Sequence, residues 1–276
     1  MNKEYEEVKE FQKAFNHPYQ DSPVLLTKER AKTRYGWMLE EINEFLEAVD
    51  KQDIVEEADA MIDLMYFALG TLVEMGVQPD ILFRIVQAAN MSKLFPDGKP
   101  HYNEDGKVIK PETWEDPHPK LEEAIEVMKH NNTILKDAPD YGINYQYEEV
   151  KKFHRAFNHP VSLTPVSLTK ERANNRYKWM LEEINEFLAA ADKQDIVEEA
   201  DAMIDEIYFA LGTLVEMGVE PEPLFDIVQA ANMSKLFPDG KPHYNEDGKV
   251  IKPETWENPH PKLELVIKKM KGDLNN

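Results

Sequence analysis

WMLEEINEFL, residues 37–46, occurs again at residues 179–188, and that recurrence decides the architecture. The same offset of 142 residues relates DKQDIVEEADAMID at 50–63 and 192–205, YFALGTLVEMGV at 66–77 and 208–219, and IVQAANMSKLFPDGKPHYNEDGKVIKPETWE at 85–115 and 227–257. No gap is needed anywhere, so the chain is one module written twice. The first copy is expected over residues 1–134 and the second over 147–276. Residues 135–146, LKDAPDYGINYQ, form the linker.

Working outward from the quoted stretch, each copy reads as helices joined by short breaks. Residues 5–16 are periodic and stop at His17-Pro18, because proline disfavours helix in the residue before it. Thr27 is an N-cap candidate for a long helix over 28–51, and Asp53 caps a third that runs to Met75 and ends at Gly76. Pro79 suits the first turn of a fourth helix reaching about Lys93. Asp105-Gly106, between short extended runs, reads as a type I′ hairpin. A last helix follows over 121–130. The expected fold class is all-α: two tandem helical bundles, each with a small hairpin or irregular segment near its C-terminus.

The 276 residues hold 53 Asp and Glu against 32 Lys and Arg, a net charge of −21. A surface so acidic argues against nucleic acid or an anionic membrane as partner, since both need clustered cations. It does not argue against a small phosphorylated ligand, because carboxylates can hold a divalent ion that attracts phosphates. Cysteine is absent, which excludes disulfides, thiolate metal sites and cysteine nucleophiles. The start, MNKEYEEVKE, is charged where a signal peptide is apolar, and no run approaches the roughly 18 apolar residues of a membrane span. A cytoplasmic protein is the expectation.

On a helical wheel of about 100° per residue, Met38, Ile42, Phe45, Leu46 and Val49 form one apolar stripe, with Glu41 and Glu44 side by side at its edge. Glu40, Asn43 and Glu47 fall on the opposite, solvated face. The third helix is apolar almost all round, and such a helix should be buried. Yet Glu56, Asp59 and Asp63 run along it as a single strip towards Tyr66 and Gly70. Paired acids three apart are common on solvated faces, so Glu41 and Glu44 alone carry little weight. Acids on a buried helix carry more, since each needs a cation, a donor or a metal. A short turn at residues 51–53 makes the two helices antiparallel neighbours, so both acidic groups can converge.

Glu41-x-x-Glu44 followed by Glu56-x-x-Asp59 resembles the ExxE…ExxD signature of the all-α nucleoside triphosphate pyrophosphohydrolases, which include MazG-like proteins and phosphoribosyl-ATP pyrophosphohydrolases. ALGTLVEMGV from Ala68, Asn90-Met91-Ser92-Lys93 and the later DGKVIKP strengthen the likeness. The resemblance implies that Glu41, Glu44, Glu56 and Asp59 coordinate Mg²⁺, with Mn²⁺ able to stand in, and that Glu183, Glu186, Glu198 and Asp201 do so in the second copy. Asp63 and Asp205 would join the metal shell or bind the nucleoside. Asn90, Lys93, Asn232 and Lys235 match substrate-contacting positions on the fourth helix, and Lys107 and Lys110 are weaker candidates for phosphate contact. Glu41, with Glu183 in its copy, is the candidate to orient water. Trp37 and Tyr66 are candidates to stack on a base.

The implied activity is attack at the α-phosphorus of a nucleoside triphosphate, releasing pyrophosphate and a nucleoside monophosphate and so clearing modified or excess nucleotides. The alternative is a non-enzymatic helical interaction or nucleotide-binding module. A di-iron bundle is disfavoured: Glu115-x-x-His118 and Glu257-x-x-His260 have the right spacing but lie between prolines, where no helix is expected to present them. A helix as apolar as the third needs covering on every side, so the two copies are expected to pair within the chain as a pseudo-dimer, with further homo-oligomers open. Leu64 against Glu206 breaks the apolar agreement between copies, and one dry and one wet environment are expected there.

Overall fold

The computed structural model describes residues 1–103, 108–130, 142–245 and 250–272. Among these the first module contributes α1 (Asn2–Ala14), α2 (Lys28–Lys51), α3 (Ile54–Met75), α4 (Pro79–Met91) and α5 (His118–His130). The second contributes α6 (Gly142–Ala156), α7 (Lys170–Lys193), α8 (Ile196–Met217), α9 (Pro221–Met233) and α10 (His260–Met270). The fold is all-α, and the described hairpin region is reduced to isolated antiparallel bridges, Tyr102 with Val108 and Tyr244 with Val250. Asp105-Gly106 and Lys107 lie outside the described residues. So does most of the expected linker, and residues 142–146, assigned to it from sequence, are instead the first turns of α6.

Local chemistry sets the boundaries of the two long helices. Thr27 accepts a hydrogen bond from the Arg30 N–H at the start of α2, and Gln52, in the left-handed conformation at φ 56°, ends it. Asp53 follows at once and caps α3, its carboxylate accepting from the N–H groups of Val55 and Glu56. Gly76 closes α3 at φ 67°, and a Cβ there would stand 2.4 Å from the Ser22 carbonyl oxygen, so only glycine fits. Ser22 is close because residues 17–27 run along the end of α3. There Gln20 N–H donates to Val73 O and Val24 N–H to Met75 O, satisfying carbonyls the helix end leaves free.

Within each module α2 lies on α3, or α7 on α8. Between modules α2 packs on α7 and α3 on α8, which makes a central bundle of four helices. The core follows: Met61, Ile62, Leu64, Met65, Leu69 and Leu72 of α3 are fully buried, each side chain contributing about 1.5–3 kcal/mol by leaving water. The remaining faces of α3 are covered by α1 of its own module and by α9 and α10 of the other, while α4 and α5 cover α8 in the same way. No single helix among the described residues is long and apolar enough to cross a membrane.

Candidate active site

The α2–α3 turn brings the expected carboxylates together. Asp59, Asp63 and Glu41 are half-buried, while Glu44 and Glu56 are exposed. Glu41 is pushed far above the usual carboxylate range, first by burial and then by the charges of Asp63 and Glu44. Burial and Asp59 raise Asp63, and burial and Glu56 raise Asp59. Five acids therefore share one field. The second module repeats the arrangement: Glu183 is raised by burial and by Asp205 and Glu186, Asp201 by burial and Glu198, and Asp205 by burial and Asp201.

The counter-charges come from the other module. Lys235, at the end of α9, pulls Asp63 down against burial, and Lys93, at the end of α4, does the same for Asp205. Each lysine Nζ donates to the asparagine three residues before it, Asn232 or Asn90, at 2.7 Å. Tyr66 binds across the same boundary, its hydroxyl donating to Gln229 Oε1 at 2.7 Å, and Tyr208 donates to Gln87. Asn90 and Lys93 thus serve the carboxylates of the second copy, and Asn232 and Lys235 those of the first. Lys110 lies over the Trp114 ring at 3.6 Å and repels Lys93, so it is near the second site. Lys107 cannot be assigned a place.

Beside each acidic group opens a cavity of about 330 Å³. The first is lined by His17, Trp37, Asp63, Tyr66 and Phe67, and by Asn232, Lys235 and Lys252 from the other module. The second has the matching His159, Trp179, Asp205, Tyr208 and Phe209, with Asn90 and Lys93. Trp37 lies 5.6 Å from Phe67, and the Arg34 guanidinium sits over both rings. Arg34 is itself spent on the scaffold, donating to Thr71 Oγ1 and Phe67 O and pairing with Glu74.

Two sequence expectations fail here. Leu64 and Glu206 do not face different media: both are fully buried, and neither Glu206 oxygen has a hydrogen-bond partner. Burial, with Asp205 beside it, raises the Glu206 carboxyl well above its usual range. A neutral acid tolerates a dry core, which is why the substitution is not a sign of water. Nor do the prolines keep His118 and His260 off helices. Proline fits a helix start, so these histidines open α5 and α10 and reach the opposite module, His118 Nδ1 lying 2.9 Å from Glu198 and His260 Nδ1 2.7 Å from Glu56. Glu115 stays outside, paired with Lys120.

His17, Arg34, Lys252 and the two helix-opening histidines were not singled out from sequence. Arg34 had a signal, a cation at the edge of a buried helix's apolar stripe. The others had none, because their partners lie in the other module.

Among the described residues no three Asp, Glu or His side chains are gathered closely enough to form a ready-made metal cluster. Chemically the set nevertheless suits a hard divalent cation: all the acids offer oxygen donors, each raises its neighbours' proton affinity, and Asp59 and Asp201 each hold one buried oxygen with no hydrogen-bond partner.

A model of the phosphoribosyl-ATP pyrophosphohydrolase family matches the chain twice, over residues 8–90 and 150–232, together more than half its length. The chain belongs to this family. Each phosphoribosyl-ATP pyrophosphohydrolase match takes in one complete set of acids and ends on Asn90 or Asn232, so the lysines three residues later lie outside it. A crystal structure from Exiguobacterium sp. 255-15, of a protein carrying a provisional NTP pyrophosphohydrolase name, is 34% identical over 49% of this chain and 100% of its own, with a TM-score of 0.29. No curated protein matches the chain.

Proposed function

We propose that the chain is a Mg²⁺-dependent nucleoside triphosphate pyrophosphohydrolase with two sites, each built by both modules. The observation that carries this reading is the junction of a five-carboxylate group, an aromatic cavity and a lysine from the opposite module. Family membership supports the reaction class.

Glu41, Glu44, Glu56 and Asp59 would hold the metal in the first site, and Glu183, Glu186, Glu198 and Asp201 in the second. Bound there, Mg²⁺ or Mn²⁺ would neutralise the triphosphate and stabilise charge developing on it. Lys235 and Lys252, or Lys93 in the second site, add positive charge that carboxylates alone lack. Trp37 and Phe67 offer flat apolar faces for the base, while Asp63 and Asn232 bring polar groups to the same wall. Glu41 is the proposed proton acceptor, because burial gives its carboxylate the high proton affinity a general base needs. Water oxygen then bonds to the α-phosphorus, its proton passes to Glu41, and the bond to the bridging oxygen breaks. Pyrophosphate leaves, and the monophosphate remains.

Incubation with a panel of nucleotides, with and without Mg²⁺, tests the reading. Metal-dependent pyrophosphate release is the expected result, abolished when Glu56→Gln is combined with Glu198→Gln. Orthophosphate in its place would contradict the assigned bond. No turnover with any nucleotide would leave a binding or helical interaction module.

A further inference from the structure

One pair of cavity residues, Gln12 and His154, occupies equivalent positions in the two modules and differs in type. Both are 2% exposed, one on α1 and the other on α6. The Gln12 side-chain amide donates to Gly70 O at 3.2 Å and to Glu74 Oε1 at 3.3 Å, which fixes its orientation. Its Oε1 is buried with no hydrogen-bond partner. A buried acceptor left unpaired costs about 1–3 kcal/mol, so its retention on a cavity wall calls for a ligand that pairs with it.

His154 reaches the same chemistry by another route. Its Nδ1 lies 2.9 Å from the Pro160 carbonyl, which can only accept, so Nδ1 carries the proton. Burial and the neighbouring Arg176 hold the ring neutral, with a pKa near 3. Nε2 is then a bare acceptor. It faces Gly212, where a Cβ would stand 2.9 Å away, as Gly70 faces Arg34 in the first module. Two different side chains, tethered by different bonds, thus both offer a single acceptor to an aromatic cavity.

We propose that Gln12 and His154 are specificity-determining residues that select a planar base carrying an N–H, amino or imino, on the edge that enters the cavity. This rests on the nucleotide reading of the site, and it narrows the substrate class. A base without such a hydrogen leaves the acceptor dry and unpaired, whereas one with it replaces the water bond it loses.

The test is equilibrium binding to the full-length chain, which needs no turnover. The probes are α,β-imido triphosphates of cytosine, adenine and uracil, each beside its donor-deleted partner: pyrimidin-2-one, purine and N3-methyluracil. The tightest-binding base should lose about tenfold or more when its donor is deleted. That loss should shrink to near unity in Gln12→Met combined with His154→Met, and persist in Gln12→His or His154→Gln, which keep an acceptor. Equal binding of every base and its donor-deleted partner by the unaltered chain would overturn the proposal, as would binding of no probe at all. Pyrophosphate release without donor discrimination would sink this inference alone, and discrimination without pyrophosphate release would sink only the assigned reaction.

Discussion

Glu206 sits fully buried with neither carboxyl oxygen hydrogen-bonded, at a position where the other copy carries an equally buried Leu64. An unsatisfied buried polar group costs about 1–3 kcal/mol, so Glu206→Leu should stabilise the chain by that order, read as a higher denaturation midpoint. A lower midpoint would mean that the acid has a partner. The carboxylates at the α2–α3 and α7–α8 turns make a second prediction. Asp59 and Asp201 are raised to about 6, and Glu57 and Glu199 to about 7, in each case chiefly by burial. Between about pH 4 and pH 7 the folded chain therefore binds protons that the unfolded chain has released, and stability falls as pH rises through that window. In chelator the thermal midpoint should be higher near pH 5 than near pH 7.5; the opposite slope would contradict the raised values.

The helices were legible at the scale of one element because capping and breaking are local. Thr27, Asp53 and Gly76 mark ends that the structure places within a residue of the expected positions. The N-cap at Asp53 also anchors the first turn that carries Glu56, so Asp53→Ala should cost about 1 kcal/mol and weaken divalent-ion binding at the first site more than at the second. Calorimetric titration with Mg²⁺ reads this as a split between two initially similar sites, and an unchanged isotherm would separate the cap from the metal. The carboxylate pairs were legible for a related reason: the spacings three apart lie within single helices, and the turn joining the helices is short. Residues supplied by other elements were not. His260 meets Glu56, and Lys235 meets Asp63, across pairings that no sequence period encodes. Likewise the helical start at Gly142, inside the expected linker, reflects packing of α6 on α8 rather than a capping signal.

Pairing of the whole molecule turns one module's incomplete site into two complete ones. α9 and α10 lie on α3, while α4 and α5 lie on α8, so every site draws acids from one module and Asn-Lys from the other. Duplication within a chain permits a test that a pair of identical chains would not, because each half of a site can be altered separately. Glu56→Gln with Lys235→Ala places both lesions in the first site, whereas Glu56→Gln with Lys93→Ala places one in each. For independent sites, pyrophosphate release should stay at about half the unaltered rate in the first double variant and fall close to zero in the second. The reverse order would contradict sites shared between modules and return Asn90 and Lys93 to the carboxylates of their own copy.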